Sequence, residues 1–262
     1  MLNTPDPDDD KPTKGSRGIQ SIEVGGALLH ALVASGAPLP LKDLARAADM
    51  SPAKAHPYLV SFGKLGLVEQ DPTSGRYGLG PLALQMGLIG LKQADPVRLA
   101  FEALPELAEG MGCTVSAAVW GDAAPVIVRV QEPSVAVRVA MKHGLTASLR
   151  KTATGKIYCA YAPEATMQAA FAASHPHDDW HDPAFAAERA AVRQRGLATV
   201  QGELIDGINA MAVPVFDAMG RLVLAIAAMA PASLLSTAAQ GPAATQLRHV
   251  AARLSEQLGY RG

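Results

Sequence analysis

Apolar side chains recur at helical spacing between residues 39 and 80, and turn residues interrupt them at regular points. The first predicted helix places its apolar side chains on one face, at Leu41, Leu44, Ala45 and Ala48. After a short turn, Ser51 is a favourable N-cap, and Pro52 stands at the first helical position, where its missing N–H costs nothing. The second predicted helix ends at Gly66, because glycine readily adopts the left-handed conformation of a helix C-terminus.

A hairpin follows this second helix. Residues 67–70 alternate like a strand, residues 71–75 hold the proline and glycine of a tight turn, and residues 76–79 form the returning strand. Another apolar helix, over residues 22–34, comes first. This order is that of a winged helix-turn-helix, whose second helix normally enters the major groove of DNA. The pattern therefore predicts a DNA-binding domain over residues 18–80.

Residues 81–95 predict a linker helix that is apolar almost all round. Pro81 begins it, and its large apolar side chains are Leu82, Leu84, Met86, Leu88, Ile89 and Leu91. A helix of this kind has to be buried, most simply against a second copy of the chain, which predicts a homodimer. Asp95 as N-cap and Pro96 at the next position begin another helix and mark the boundary.

Residues 96–262 alternate between short apolar runs and helical patterns. Three runs, 115–120, 125–131 and 135–141, predict an antiparallel meander. Further strands are predicted over 197–200, 210–216 and 222–229, and helices over 97–111, 154–162, 163–173, 182–196 and 242–258. The predicted fold class is thus α+β, and the second domain is typical of a sensor module. By contrast, residues 1–17 are polar and rich in proline, which predicts a disordered tail.

Composition changes this picture little. The chain has 262 residues, of which 49% are hydrophobic, enough for two modest cores. Its net charge is −1, so overall charge does not indicate a nucleic-acid partner. Residues 18–80 are also neutral, yet the second helix of the motif carries Lys54, His56 and Lys64 and no acid. Phosphate contacts require a positive face rather than a positive domain.

Several kinds of chemistry find no support in the sequence. Cys113 and Cys159 lack metal-binding spacing and are typical of a reducing cytoplasm. A polar cluster could bind a divalent metal, through His175, His177, Asp178, Asp179, His181 and Asp182. The favoured interpretation is a hydrophilic loop between helices. No apolar run approaches the ~20 residues of a membrane span, and no nucleophile–base motif is evident. No cofactor, metal or enzymatic activity is expected.

Short segments in order resemble the IclR family of bacterial transcriptional regulators: residues 18–23, 41–48, 51–61, 66–69, 75–80, 152–156, 202–203, 207–208 and 210–217. The resemblance implies an N-terminal winged helix, a linker helix and a C-terminal GAF-like domain that binds a small effector, usually a metabolite acid. It also implies a dimer, often a tetramer, on a promoter. The chain is accordingly expected to be a repressor or activator whose operator binding is modulated by an effector.

The candidate DNA contacts lie on the second helix and the wing: Ser51, Lys54, His56, Tyr58, Ser61 and Arg76. The alternative is a solvated helix face with Tyr58 partly buried, and an ordinary turn arginine at position 76. Pro57 stands where the family usually has arginine, which removes one expected contact. Proline within a helix also removes a hydrogen bond and kinks the axis at a cost of ~3 kcal/mol.

The candidate effector contacts are Gly144, Arg150, Thr154, Gly155, Glu203, Asp206, Ala210, Ala227 and Met229. Thr154 and Gly155 open a helix whose free N–H groups could hold a carboxylate, unless this helix start simply packs against the sheet. Arg150, where the family often has histidine, could pair with an acid or lie on the surface. Asp206 could accept a ligand hydroxyl or cap a turn.

The family often places cysteine and serine in the pocket, where this chain has Ala210, Ala227 and Met229. The resemblance therefore implies a less polar pocket and a bulkier, more apolar ligand, for example an aromatic acid. A second interpretation stays open: residues 96–262 form a small-molecule enzyme or binding module, and the helix-turn-helix serves only association.

Overall fold

The computed structural model describes residues 18–262 except residues 136 and 137, and of residues 91 and 92 only the backbone. The predicted disordered tail, residues 1–17, lies outside the described residues. The chain divides into two compact units, with the boundary between Gly90 and Leu91.

The N-terminal unit is a winged helix-turn-helix, as predicted. Its elements are α1 (Gln20–Ser35), α2 (Leu41–Ala47), α3 (Pro52–Leu65), β1 (Val68–Gln70) and β2 (Tyr77–Leu79), and α4 (Pro81–Gln93) follows. Strands β1 and β2 form an antiparallel hairpin, and a bridge from Leu39 to Tyr77 ties the hairpin to the segment before α2. Leu28, Leu44 and Leu59, one from each of the first three helices, are fully buried together.

The turn between α2 and α3 contains Asp49, whose φ of 52° is in the left-handed region. Aspartate tolerates this conformation better than most residues. Ser51 then caps α3, accepting a hydrogen bond from the Lys54 amide at 3.3 Å, and Gly66 ends the helix with a φ of 75°. The local signals read in the sequence thus determine both ends of α3.

Helix α4 exposes large apolar side chains in the single chain. Leu84, Met86, Leu88 and Ile89 are each more than half exposed. Exposed apolar side chains on successive turns are typical of an interface. Burial of this helix against a second chain stays a prediction.

The C-terminal unit contains a five-stranded antiparallel sheet in the order β4-β3-β7-β6-β5. Its elements are α5 (Pro96–Met111), β3 (Thr114–Trp120), β4 (Pro125–Gln131), α6 (Ala153–Tyr161), α7 (Glu164–Ser174), α8 (Pro183–Arg195), β5 (Ala198–Gln201), β6 (Ile208–Phe216), β7 (Leu222–Pro231) and α9 (Pro242–Gln257). Helices α5 and α9 cover one face of the sheet, and α6 covers the other with α7 and α8 packed around it.

A third strand of the meander was predicted over residues 135–141. That prediction is wrong for the residues of this range that the structure describes. Residues 138–141 are not in a strand. The free edge of β4 pairs instead with residues 144–147: the Ile127 amide bonds the Leu145 carbonyl, and the Gly144 amide bonds the Ile127 carbonyl, both at 2.8 Å. Residues 144–147 thus occupy the edge of β4 that a third strand of the meander would have used.

Within the described part of the chain, no helix combines the length and the apolarity needed to cross a bilayer.

Candidate nucleic-acid interface and ligand cavity

The exposed face of α3 carries most of the residues proposed to contact DNA. Lys54, His56 and Ser61 are exposed, and the Ser61 hydroxyl donates to the Pro57 carbonyl at 3.0 Å. The helix continues through Pro57 to Leu65 without interruption. Pro57 is itself exposed, so water can hydrogen-bond the carbonyl that its missing amide leaves free.

Tyr58 is half-buried and faces α1 rather than solvent. A side-chain carbon added at Gly25 would lie 2.8 Å from the Tyr58 ring, so Gly25 is what allows the two helices to pack closely. Lys64 and Val60 share the exposed side of α3, although neither was among the candidate DNA contacts. Their spacing of three to four residues from Pro57 and Ser61 was the available signal.

The wing is a tight, hydrogen-bonded turn. The Asp71 carboxylate accepts from the Thr73 and Ser74 amides at 2.7 and 3.1 Å, and these bonds, that from Ser74 first, lower the pKa of Asp71. Arg76 is exposed, and its guanidinium donates to the Pro38 carbonyl at 3.3 Å. The arginine is therefore held beside the loop before α2, with its charge accessible.

A cavity of about 390 Å³ lies between α6 and the sheet of the C-terminal unit. Its apolar lining residues are Ile127, Val139, Ala140, Met141, Leu145, Ala147, Ala153, Val200, Leu204, Ile205, Ile208, Ala210, Ala227 and Met229. Its polar lining residues are Lys142, Thr146, Lys151, Thr152 and Thr154. Among the residues described, the lining thus contains two lysines and no carboxylate.

The N-terminus of α6 forms one wall of this cavity. The Thr152 hydroxyl accepts from the Gly155 amide at 2.9 Å, and the Lys156 amide bonds the Thr152 carbonyl at 3.0 Å. Ala153 and Thr154 are buried, and their amides have no acceptor among the described residues. Buried backbone donors nearly always have a partner, and helix N-termini favour anions. This wall is therefore suited to a negatively charged group.

Two rigid contacts hold α6 in place. A side-chain carbon at Gly155 would overlap the Ser148 carbonyl oxygen and lie 2.6 Å from the Leu149 Cα, so the helix start packs directly on the preceding backbone. Lys156 is 5% exposed, and its ammonium lies 2.8 Å from a Glu188 oxygen and 2.7 and 2.8 Å from the two Glu203 oxygens. The buried charge is thus paired on two sides.

Two family models match the chain. The IclR helix-turn-helix domain matches residues 21–72, and the bacterial transcriptional regulator IclR C-terminal domain matches residues 90–256. The chain belongs to the IclR family of bacterial transcriptional regulators. It is a DNA-binding regulator with an N-terminal helix-turn-helix and a C-terminal effector-binding domain, as the resemblance implied.

Relatives match over most of the chain. The glycerol operon regulatory protein of Streptomyces griseus is 30% identical over 252 residues, 93% of this chain and 98% of the relative. Its Streptomyces coelicolor counterpart is 31% identical over 206 residues, 77% of this chain and 81% of the relative. The crystal structure of Pseudomonas aeruginosa HmgR superposes with a TM-score of 0.88 at 32% identity, covering 93% of this chain and 100% of that one. The two Streptomyces relatives are named as regulatory proteins.

Four of the nine residues predicted for the effector site of this IclR-family chain line the cavity: Thr154, Ala210, Ala227 and Met229. Strand pairing explains the last three, since Ala210 is opposite Met229 on β6 and β7 and Ala227 is two residues before Met229 on the same face. These three apolar side chains, two of them alanines, form the cavity floor.

The other five predicted residues do not line the cavity. Gly144 forms a turn with a φ of 80°, Gly155 packs on the backbone, and Asp206 is exposed. The Arg150 guanidinium lies 3.3 Å from Glu188 and 4.5 Å from the centre of the Phe185 ring, and Glu203 pairs with Lys156. Arg150 is thus engaged on the far side of α6.

The sequence interpretation missed seven exposed residues of the cavity lining: Ala140, Lys142, Leu145, Thr146, Lys151, Leu204 and Ile205. The available signal for Lys151 was its position directly before the N-cap Thr152, where a cation and a helix N-terminus come together. Lys142 carried no such signal, because it only follows the run 135–141, which was predicted to be a strand and is not one in its described residues.

The histidine-rich loop has structural contacts of its own. His175 stacks on Phe171 at 4.9 Å, His181 lies 3.2 Å from the Gln168 amide nitrogen, and Asp182 caps α8. In the described chain, no three His, Cys, Asp or Glu side chains are grouped closely enough to hold a metal.

Proposed function

We propose that the effector of this regulator is an organic anion with an apolar body, and that it binds in the cavity beside α6. One observation carries the proposal: an apolar cavity whose described lining has two lysines, two unbonded buried amides and no carboxylate. Its volume of about 390 Å³ falls within the ~300–1,000 Å³ of small-molecule sites.

The charged end of the effector would meet the helix wall. Ala153 and Thr154 offer amides within the cavity, and Lys142 and Lys151 lie at its exposed rim. The two amides provide hydrogen-bond donors and the two lysines provide positive charges. One carboxylate can interact with both kinds of group at the same time. The floor around Ala210 and Ala227 offers only carbon atoms to the rest of the ligand.

For the DNA, we propose that α3 lies in the major groove and that Arg76 contacts phosphate from the wing. Lys54, His56 and Lys64 on the exposed face of α3 support this placement, because no acid on that helix opposes them. We accordingly propose a DNA-binding domain over residues 18–80, a linker helix over residues 81–95 and an effector-binding domain over residues 96–262. Promoter DNA implies a cytoplasmic location.

We also propose that α4 joins two copies of the chain into a homodimer, since its exposed apolar side chains require a partner. Pairs of these dimers would form the tetramer common in the family. An effector then acts only if it binds one arrangement of the dimer better than the other. No enzymatic step is proposed, because the named relatives act as regulators.

A thermal-shift comparison of matched ligands tests the anion proposal. Benzoate, phenylacetate and hexanoate would each be compared with the corresponding neutral amide on the full chain. An acid at 100 times its Kd adds ~2.7 kcal/mol, or roughly 5–10 °C for a domain of this size. The Lys142→Ala/Lys151→Ala variant should lose the shift, and Lys64→Ala should keep it. Equal shifts with acids and amides would refute the proposal.

A further inference from the structure

The loop over residues 202–207 connects β5 to β6 and borders the opening of the cavity. Leu204 and Ile205 line the cavity, yet they are 56% and 55% exposed. Large apolar side chains in this position gain burial only when something fills the space beneath them. The two side chains are therefore placed to contact a ligand rather than to stabilise the empty fold.

Both ends of this loop are fixed to the sheet. The Gly202 amide bonds the Ile208 carbonyl at 2.9 Å, and the Ala232 amide bonds the Gly207 carbonyl at 2.7 Å. Gly202 and Gly207 have φ angles of 71° and 75°, which glycine adopts without strain. Between them, the amides of residues 203–206 have no backbone acceptor among the described residues. Among the described backbone bonds of the tip, the Ile208 amide bonds the Ile205 carbonyl at 3.1 Å. Few backbone hydrogen bonds therefore oppose movement of the tip while the ends of the loop stay in place.

One side chain of the loop reaches α6. Both Glu203 carboxylate oxygens lie within 2.8 Å of the Lys156 ammonium, and Lys156 belongs to the first turns of the helix whose N-terminus forms the cavity wall. Lys156 stays paired with Glu188 at 2.8 Å if the loop departs. The ion pair can therefore open without leaving the buried lysine uncompensated.

We propose that the 202–207 loop is a selective cover of the effector cavity. Leu204 and Ile205 close over the apolar end of the bound anion, and Glu203 is a positioning residue that holds the loop closed through Lys156. The inference rests on the proposed function, in that it takes the cavity as the anion site. It further requires an apolar end long enough to reach the opening, so compact anions such as acetate or sulfate would not be retained.

The test uses anilinonaphthalenesulfonate, a fluorescent anion with a large apolar body, on the full chain. Its affinity and its association and dissociation rates are measured for the natural protein and for Leu204→Ala/Ile205→Ala. Met219→Ala is the matched control, because Met219 is 71% exposed in the same unit and does not line the cavity. Exposed side chains are removed in each case, so folding is little affected.

The cover predicts a loss of affinity of about tenfold for the Leu204→Ala/Ile205→Ala variant, expressed mainly in faster dissociation. Glu203→Gln should raise the dissociation rate about fivefold with little change in the association rate, as expected for a positioning residue. Met219→Ala should match the natural protein. Hydrogen exchange at residues 203–206 should slow when the probe is bound.

Two failures are distinguishable. If Lys142→Ala/Lys151→Ala weakens the probe but the Leu204→Ala/Ile205→Ala variant binds and releases it like the natural protein, the cover is refuted and the anion site stands. If the lysine variant binds the probe unchanged, the proposed effector site itself fails, and the cover fails with it. Unchanged exchange at residues 203–206 on binding would also overturn the cover.

Discussion

Gly155→Ala should damage the C-terminal unit, although glycine to alanine normally stabilises a helix by ~1 kcal/mol. The added carbon would lie 2.6 Å from the Leu149 Cα and 2.7 Å from the Ser148 carbonyl carbon. Ordinary contact of such atoms begins at about 3.5 Å, so the helix start has to retreat by roughly 1 Å. Both opposing atoms are backbone, which cannot rotate away as a side-chain end can.

The net cost follows from these two effects. Overpacking costs ~1–3 kcal/mol, and the helix gain of ~1 kcal/mol offsets part of it. About 0–2 kcal/mol of destabilisation remains, and the upper end is expected because the opposing atoms are backbone. Displacement of α6 also moves the Ala153 and Thr154 amides, so the thermal shift with phenylacetate should shrink.

Chemical denaturation of the full chain, monitored by fluorescence of Trp120 and Trp180 in the C-terminal unit, measures the effect. The matched control is Gly110→Ala in α5, where the nearest atom, 2.6 Å away, is the end of the flexible Gln246 side chain. That variant should be as stable as the natural protein or slightly more stable. If Gly155→Ala were equally stable, the packing argument for the helix start would be refuted.

Two further predictions concern DNA and pH. Lys54→Ala/Arg76→Ala should weaken operator binding without changing the melting temperature, and it should reduce the salt dependence by about two counterions; an unchanged salt slope would exclude both as phosphate contacts. Burial, opposed by Arg189, raises the pKa of Cys159 to about 12 from 9.0. The folded thiol therefore keeps its proton above pH 9 while the unfolded thiol loses it, so stability falls between pH 9 and 12. Cys159→Ala should flatten that decline in denaturation measured across pH, and an unaltered slope would contradict the assignment.

Local signals were sufficient for most elements. Ser51, Pro52 and Gly66 determine the limits of α3 through contacts within a few residues, and the structure has the helix between them. Predictions of this kind succeed because capping involves only neighbouring backbone groups. The apolar runs likewise identified β3, β4, β6 and β7 to within a few residues.

Pairing between distant segments could not be predicted in the same way. Residues 135–141 have a strand-like composition, but residues 144–147 occupy the edge of β4. Which of two neighbouring segments takes a sheet edge depends on the geometry of the turn between them and on what else packs there. The amino-acid composition of a segment shows neither the geometry of that turn nor the packing at the sheet edge.

By itself, the sequence determined the order of elements, the division into a helix-turn-helix and a sensor domain, and the family. Each of these depends on local periodicity, capping or short motifs. Only the tertiary structure decided that Lys151 rather than Arg150 borders the cavity, and that Gly155 packs on the preceding backbone and does not line the cavity. At the start of a helix, the side chains of adjacent residues point in different directions. Which of them faces the cavity depends on tertiary packing, here of Arg150 against Glu188 and of Gly155 against the Ser148 backbone, and helical periodicity does not show that packing.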